Sequence, residues 1–171
     1  MNTQRLFFAL WPDGRQREIL RDPINSVAKS VEGRHVDRRD WHITLAYIGP
    51  FPENRVPILH EKAGEIEVEP FRLGFDRLEF WPRAKVAVIT APTVPPELQR
   101  LVDQLQAALS AVGIRSEESR FRPHITVVRN ARSFSVERLA RRATTEWSSF
   151  ELIESSSGPG ASGYVPLKQT L

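Results

Sequence analysis

Two short segments of the chain share a pattern of polar and apolar residues that could perform acid–base chemistry. The five residues from Trp41 are Trp-His-Ile-Thr-Leu, and the five from Pro123 are Pro-His-Ile-Thr-Val. Both segments are rich in apolar and β-branched residues, which predicts a β-strand for each. Because successive side chains of a strand point to opposite faces, the histidine and the threonine of each segment share one face.

If a pseudo-twofold axis relates the two strands, two imidazoles and two hydroxyls face one cleft. One of His42 and His124 could then act as a neutral general base and the other, protonated, as a general acid. The hydroxyls of Thr44 and Thr126 could donate hydrogen bonds to phosphate oxygens as charge develops there. Arg129, near the end of the second strand, could add a charge-assisted contact. The repeated motif therefore predicts acid–base chemistry at a phosphate.

The same residues also allow less specific interpretations. A single histidine in an apolar strand is usually a hydrogen-bonded core residue, and threonine is common in strands. The doubled motif, which contains two of the four histidines, favours function. His35 and His60 have no matching partner and are expected to be surface residues. A metal site of Asp40, His42 and His124 is the rival use of the pair, although threonine is a poor ligand and no His-x-x-x-His motif supports it.

Composition limits the class of protein. The chain has 171 residues and no cysteine, which predicts one domain able to bury a core and excludes thiol catalysis, disulfides and thiolate zinc sites. No signal peptide or membrane-spanning run is recognisable, so we expect a cytoplasmic protein. The net charge of +3, carried mostly by arginine, is a weak indication of nucleic acid as a partner.

Hydrophobic periodicity predicts the elements that must position these residues. A helix from Asp13 is expected to be kinked or interrupted at Pro23 and to end by Gly33. A loop is predicted over 155–160 and a last short strand near Tyr164. The order favours an α+β or α/β domain with two pseudo-symmetric lobes. Strands are predicted over 6–10, 41–48, 71–80, 85–90, 123–128 and 147–153, and further helices over 56–66, from Pro95 to Gly113, and over 136–142.

The two motifs resemble the H-x-T-x signatures of the 2H phosphoesterase superfamily. More narrowly, four segments are similar in order and spacing to the bacterial RNA 2′,3′-cyclic 3′-phosphodiesterases, historically called 2′-5′ RNA ligases: Arg5 to Leu10, His42 to Gly49, Pro123 to Arg129 and Tyr164 to Leu167. The resemblance implies an α+β, bilobal fold over residues 1–171. In that fold two pseudo-symmetric lobes of antiparallel-rich sheet, with outer helices, surround a central cleft.

The resemblance also implies the reaction. An RNA terminal 2′,3′-cyclic phosphate would be hydrolysed to a 2′-phosphate without a metal or other cofactor. His124 would accept the proton of water, and His42 would donate a proton to the leaving 3′-oxygen. Thr44, Thr126 and Arg129 would hold the phosphate. Members of the family can also run the reverse reaction, which joins a 2′-phosphate-related end to a 5′-hydroxyl.

A phenylalanine of the first strand stacks on the nucleobase in this family. Phe8 matches it best, although strand alternation leaves Phe7 open. The implied partners are RNA 3′ ends or nucleotides that carry a 2′,3′-cyclic phosphate, with no membrane and no protein partner, and the protein is expected to be a monomer. Two alternatives stay open: a phosphodiesterase for small cyclic nucleotides or sugar cyclic phosphates, and a catalytically inactive module that binds RNA ends.

Overall fold

In a computed structural model that describes residues 1–115, 120–156 and 163–168, the chain forms two antiparallel β-sheets and three α-helices. The helices are α1 (Gly14–Ala28), α2 (Val56–Gly64) and α3 (Pro96–Ala111). The strands are β1 (Thr3–Leu10), β2 (Arg34–His35), β3 (Ile43–Pro52), β4 (Phe71–Trp81), β5 (Val86–Thr90), β6 (His124–Arg129), β7 (Glu137–Trp147), β8 (Glu151–Ser155) and β9 (Tyr164–Leu167).

Each sheet carries one of the two His-x-Thr motifs. The first sheet has the strand order β3-β1-β8-β9, and the second has the order β2-β6-β5-β4-β7. His42 directly precedes β3 of the first sheet, and His124 is the first residue of β6 in the second. The expectation of an α+β fold built from antiparallel sheets is therefore confirmed.

The helices connect the two sheets, because each long helix packs on the sheet that it does not directly follow. Helix α1 follows β1 of the first sheet but packs mainly on β7 of the second, and α3 follows β5 of the second sheet but packs on β3 of the first. A capping box between Asp13 and Gln16 starts α1, and the Gln16 side-chain amide also donates to the backbone carbonyl of Glu146 on β7. Residues of both sheets and of all three helices form one core cluster.

The apolar spacing of α3 is confirmed residue by residue. All five positions that the spacing assigned to the core are buried: Leu98, Leu101, Val102, Leu105 and Leu109. Helix α1 differs from its prediction, because it continues through Pro23 to Ala28 without interruption. Burial of Leu20, Ile24 and Val27 on both sides of the proline offsets a local cost of about 3 kcal/mol.

Two predicted elements near the end of the chain are wrong. The helix predicted over 136–142 is the first part of β7, and the strand predicted over 147–153 begins only at Glu151. Leu139 and Ala143 are spaced like one helical face, but both are also buried on one face of β7. Antiparallel pairing with Phe71 to Leu78 of β4 decides for the strand. Most of the predicted loop over 155–160 lies outside the described residues.

Among the described residues, no helix is long and apolar enough to cross a membrane.

Gly33 holds β6 in place rather than ending α1. Its backbone has φ +149°, and an added Cβ would lie 2.7 Å from Val128 Cγ1 and 2.9 Å from the carbonyl oxygen of Arg129. Only a residue without a side chain allows this close approach to the strand that carries His124. The position of Arg129 therefore depends on Gly33.

We expect Gly33→Ala to lower the free energy of unfolding by about 2 kcal/mol or more, because it adds a steric clash to backbone strain. Urea unfolding measures the change. Gly113→Ala is the matched control, since Gly113 has φ +88° but open space where a Cβ would go. Equal losses in the two variants would show that the contact with β6 contributes nothing.

Candidate active site

The two histidines are fixed by the same local hydrogen bond. Nδ1 of His42 donates to the backbone carbonyl of Asp40 over 2.7 Å, and Nδ1 of His124 donates to the carbonyl of Arg122 over 2.8 Å. A carbonyl oxygen can only accept, so the proton of each neutral imidazole is on Nδ1. In both rings Nε2 is left with a lone pair for a substrate, and this is the atom a general base or a reprotonated general acid must present.

A bridge between the two sheets closes the site. The guanidinium of Arg129, on β6, donates from Nη2 to the hydroxyl of Tyr164 on β9 over 3.0 Å. The ring of Tyr164 then meets the ring of His42 edge-on, with 4.8 Å between centroids. His42 is near enough to Arg129 and His124 for both of them to lower its pKa. The histidine of one sheet therefore lies within electrostatic range of the histidine and arginine of the other.

Aromatic rings surround His42. Trp11 stacks on the imidazole with 5.7 Å between centroids and 19° between planes, and Phe7 lies at 5.1 Å. Phe7 and Tyr164 also meet edge-on at 5.7 Å. These contacts exclude water from the ring and restrict its rotation.

The ring of His124 is also packed against an aromatic side chain. The centroid of the Trp81 ring lies 4.4 Å from that of His124, and the guanidinium of Arg122 lies over the Trp81 ring, 5.0 Å from its centroid. Glu79 fixes Arg122 with an ion pair of 3.2 Å. Each histidine is thus packed against one tryptophan at the end of a strand, because Trp11 directly follows β1 and Trp81 is the last residue of β4.

Burial lowers the pKa of both histidines. For His42 the removal of water is the main cause, the charges of Arg129 and His124 lower the pKa further, the Asp40 carbonyl opposes the change, and the pKa falls from 6.5 to about 4. For His124 burial is again the main cause and the charge of Arg122 acts in the same direction, whereas the Arg122 carbonyl raises the pKa. Both imidazoles are therefore neutral at pH 7 when the cleft holds no anion.

A β-bulge brings Arg129 to the face of the histidine. Arg129 is five positions after His124, and strict alternation would place the two on opposite faces. The pairing of β5 with β6 passes from Thr126 to Val128 and leaves Val127 unpaired, which shifts the alternation by one residue. Val127 is buried in the core, while the half-buried Arg129 reaches Tyr164.

Phe8 does not face the site. Its ring is 1% exposed and packs in the core against Phe150, so the prediction that it stacks on a base is wrong. Phe7 takes the cleft side of β1, as strand alternation allowed. At 5% exposure, it forms the floor under His42 and has no open ring face.

The remaining candidate residues are distributed as follows. Thr44 and Thr126 are half-buried on β3 and β6, each on the same face as its histidine. His35 is exposed on β2, whereas His60 is half-buried on α2. Asp40 contributes its backbone carbonyl to His42. Over the described ranges, no three His, Cys, Asp or Glu side chains are grouped as metal ligands.

Sequence reasoning missed Trp11, Trp81 and Tyr164 as site residues. A signal for the two tryptophans was present, since a Trp-Pro pair directly follows two of the predicted strands, at Trp11 and at Trp81. No comparable local signal identifies Tyr164, because its contacts depend on the pairing of β9 with β8.

The lowered pKa of His42 predicts that the folded protein loses stability as the pH falls from 6.5 to about 4. In this range the unfolded chain binds a proton that the folded site does not bind. Because of His42 alone, the free energy of unfolding should fall by about 2 kcal/mol when the pH is lowered from neutral to about 5. Urea unfolding of the wild type and of His42→Gln at both pH values measures the difference.

The His42→Gln variant should lose less stability on acidification than the wild type. His60→Gln removes a histidine of α2, outside the cleft, and is the control for the loss of any histidine. An unchanged pH dependence in His42→Gln would contradict the low pKa.

Comparisons with known proteins agree with this geometry. A model of the 2′-5′ RNA ligase superfamily matches residues 16–153. The RNA 2′,3′-cyclic phosphodiesterase of Escherichia coli strain K12 is 28% identical over 167 residues, which cover 97% of this chain and 95% of the relative. The RNA 2′,3′-cyclic phosphodiesterase of Archaeoglobus fulgidus is 29% identical over 128 residues, which cover 73% and 72%.

Solved structures give the same result. The crystal structure of E. coli LigT complexed with 3′-AMP is similar with a TM-score of 0.86 and 29% identity, covering 98% of this chain and 97% of that one. LigT complexed with phosphate is similar with a TM-score of 0.81 and 27% identity, covering 98% and 96%. The family match includes both His-x-Thr motifs. The chain therefore belongs to the 2′-5′ RNA ligase superfamily.

Proposed function

We propose that this protein hydrolyses the terminal 2′,3′-cyclic phosphate of RNA to a 2′-phosphate by two-histidine acid–base catalysis. The observation that carries the proposal is the pair of imidazoles, each fixed through Nδ1 by a backbone carbonyl, with no hydrogen-bond partner for Nε2 in the part of the chain that the structure describes. The names of the E. coli and A. fulgidus relatives support the choice of substrate.

The reaction needs one proton acceptor and one proton donor. Nε2 of His124 accepts a proton from water as the water oxygen attacks phosphorus. The bond from phosphorus to the 3′-oxygen breaks, and His42 protonates that oxygen, which becomes the free 3′-hydroxyl. The phosphate remains on the 2′-oxygen. The assignment of donor and acceptor follows the family resemblance, since the hydrogen bonds of the two histidines are equivalent.

Binding of the substrate raises the pKa of His42, so that this histidine can carry the proton that it donates. A cyclic phosphodiester carries one negative charge, and an anion beside a buried imidazole raises its pKa. The anion also neutralises Arg129, whose charge lowers the pKa of His42 in the empty site. Substrate binding therefore raises the protonated fraction of the histidine that has to donate a proton.

Thr44, Thr126 and Arg129 hold the phosphate in this proposal. Hydroxyl donors that are already in position stabilise the oxygens where charge accumulates, and no reorganisation is needed during the reaction. Arg129 is preoriented by its hydrogen bond to Tyr164, which reduces the entropy lost on binding the phosphate. Ligation uses the same groups: a 5′-hydroxyl replaces water as the nucleophile, His124 accepts its proton, the bond from phosphorus to the 3′-oxygen breaks with protonation by His42, and a 2′-5′ phosphodiester forms. We further propose that the enzyme acts in the cytoplasm, as a monomer and without a cofactor.

We expect His42→Ala and His124→Ala each to lower kcat on adenosine 2′,3′-cyclic phosphate about 100-fold or more, because each removes one proton transfer. Chromatography of the 2′-phosphate product measures the rate. His35→Ala, in the exposed β2, is the control and should retain wild-type activity. EDTA should have no effect. Full activity in either active-site variant, with an intact circular dichroism spectrum, would exclude the mechanism.

A change of leaving group separates the donor from the acceptor. When sulfur replaces the leaving 3′-oxygen, the thiolate departs without protonation and the general acid is no longer needed. We expect His42→Ala to recover most of its lost rate on this substrate and His124→Ala to recover little. The opposite order would exchange the two roles.

A further inference from the structure

Arg34 lies directly opposite Arg129 at the edge of the second sheet. Strand β2 is the edge strand of that sheet, and its Arg34 is the direct partner of Arg129 on β6. The Cα atoms of such a pair are about 5 Å apart. Like charges directly opposite each other on neighbouring strands destabilise a sheet. The sheet therefore holds two cations together at a cost in stability that a bound anion would offset.

The strand pairing places Arg34 on the face of the sheet that carries His124. Val86 of β5 pairs with Arg129, and Trp81 of β4 pairs with Val86. Together with Arg34, these residues form one row of direct pairs across the sheet. Directly paired residues have their side chains on the same face. Trp81 contacts the ring of His124, so this face is the one that borders the candidate active site.

No carboxylate neutralises either arginine of this pair in the ranges 1–115, 120–156 and 163–168. Arg34 is exposed, and Arg129 donates to a neutral hydroxyl. The same sheet contains another direct pair of arginines, Arg77 and Arg138, but there Asp76 contacts Arg77 over 3.0 Å. The pair of Arg34 and Arg129 thus keeps both positive charges available for an anion from solution.

The position of Arg34 suits a second phosphate of the same substrate. In the proposed reaction Arg129 holds the cyclic phosphate, and the backbone of Arg34 lies one strand further toward the edge of the sheet, about 5 Å away. In an RNA with a cyclic end, the phosphate nearest to the cyclic one is on the 5′-oxygen of the same terminal nucleotide. A guanidinium binds a phosphate through two parallel N–H groups, so each arginine of the pair can hold one phosphate.

We propose that Arg34 binds the phosphate on the 5′-oxygen of the terminal nucleotide while Arg129 binds the cyclic phosphate. This inference rests on the proposed function and adds a second phosphate to the group that the site recognises. The two anions offset the repulsion between the two guanidinium groups, so the complex gains from a pair that destabilises the free protein. A nucleoside cyclic phosphate that has no 5′-phosphate makes no contact with Arg34.

The test compares two substrates that differ only at the 5′-oxygen: adenosine 2′,3′-cyclic phosphate and its 5′-phosphorylated form. We expect Arg34→Gln to lower kcat/KM about tenfold on the 5′-phosphorylated substrate and less than about twofold on the other, because one charge-assisted contact is lost. Arg141→Gln, at an exposed position of the opposite edge strand β7, is the matched control and should leave both values unchanged. Equal losses on both substrates, or no loss on the 5′-phosphorylated one, would overturn the proposal.

A binding measurement separates this inference from the proposed reaction. Titration calorimetry with adenosine 2′-phosphate and adenosine 2′,5′-bisphosphate, the products expected from the two substrates, needs no turnover. We expect the 5′-phosphate to tighten binding about tenfold in the wild type and less than about twofold in Arg34→Gln. An equal contribution in both proteins would overturn the role of Arg34. If the wild type hydrolyses neither cyclic substrate, the proposed function is wrong, and the binding result alone then decides whether Arg34 holds a phosphate.

Discussion

Each imidazole of the candidate active site donates a hydrogen bond from Nδ1 to a backbone carbonyl two residues earlier in the chain, and the proposed chemistry depends on this contact. The hydrogen bond selects one tautomer and one ring orientation, so Nε2 is the only ring atom left for a substrate. It also fixes the position of a ring that is buried away from water. Without the carbonyl, a buried imidazole could rotate and lose its alignment with a phosphate.

The exchange of helices between the sheets restrains the separation of the two imidazoles. A cleft between two independent lobes would open and close, and the distance from His42 to His124 would vary with it. Here α1 rests on β7 and α3 rests on β3, so any hinge motion would have to disrupt a shared core. The tight packing of that core resists such motion. The bridge from Arg129 to Tyr164 adds a polar link at the cleft itself.

Local pattern was sufficient to predict the features that depend on neighbours in sequence. The H-x-T-x motifs, the apolar face of α3 and most strands have short-range signals, and the resemblance added the α+β architecture. Features that depend on pairing between distant strands were not predictable in this way. Residues 136–142 fit a helical face as well as a strand face, and only the register with β4 decides between them.

The wrong and missing predictions for the candidate active site have the same cause. Phe7 and Phe8 are adjacent and chemically identical, so the choice of the one that faces the cleft depends on which side of β1 the core occupies. The contribution of Tyr164 depends on the docking of β9 beside β8, far from either motif. The bulge at Val127 leaves no mark in composition, yet it determines that Arg129 shares a face with His124.

The helix exchange also affects how the chain can fold as it is synthesised. Gln16 at the start of α1 is separated by 130 residues from Glu146, the β7 residue whose carbonyl it contacts. The apolar face of α1 therefore cannot pack on β7, its principal partner strand, until most of the protein has left the ribosome. Pairing over so long a separation closes a large loop and slows folding. The contacts that make the cleft rigid thus form late, and catalytic geometry is completed only when nearly the whole chain is available.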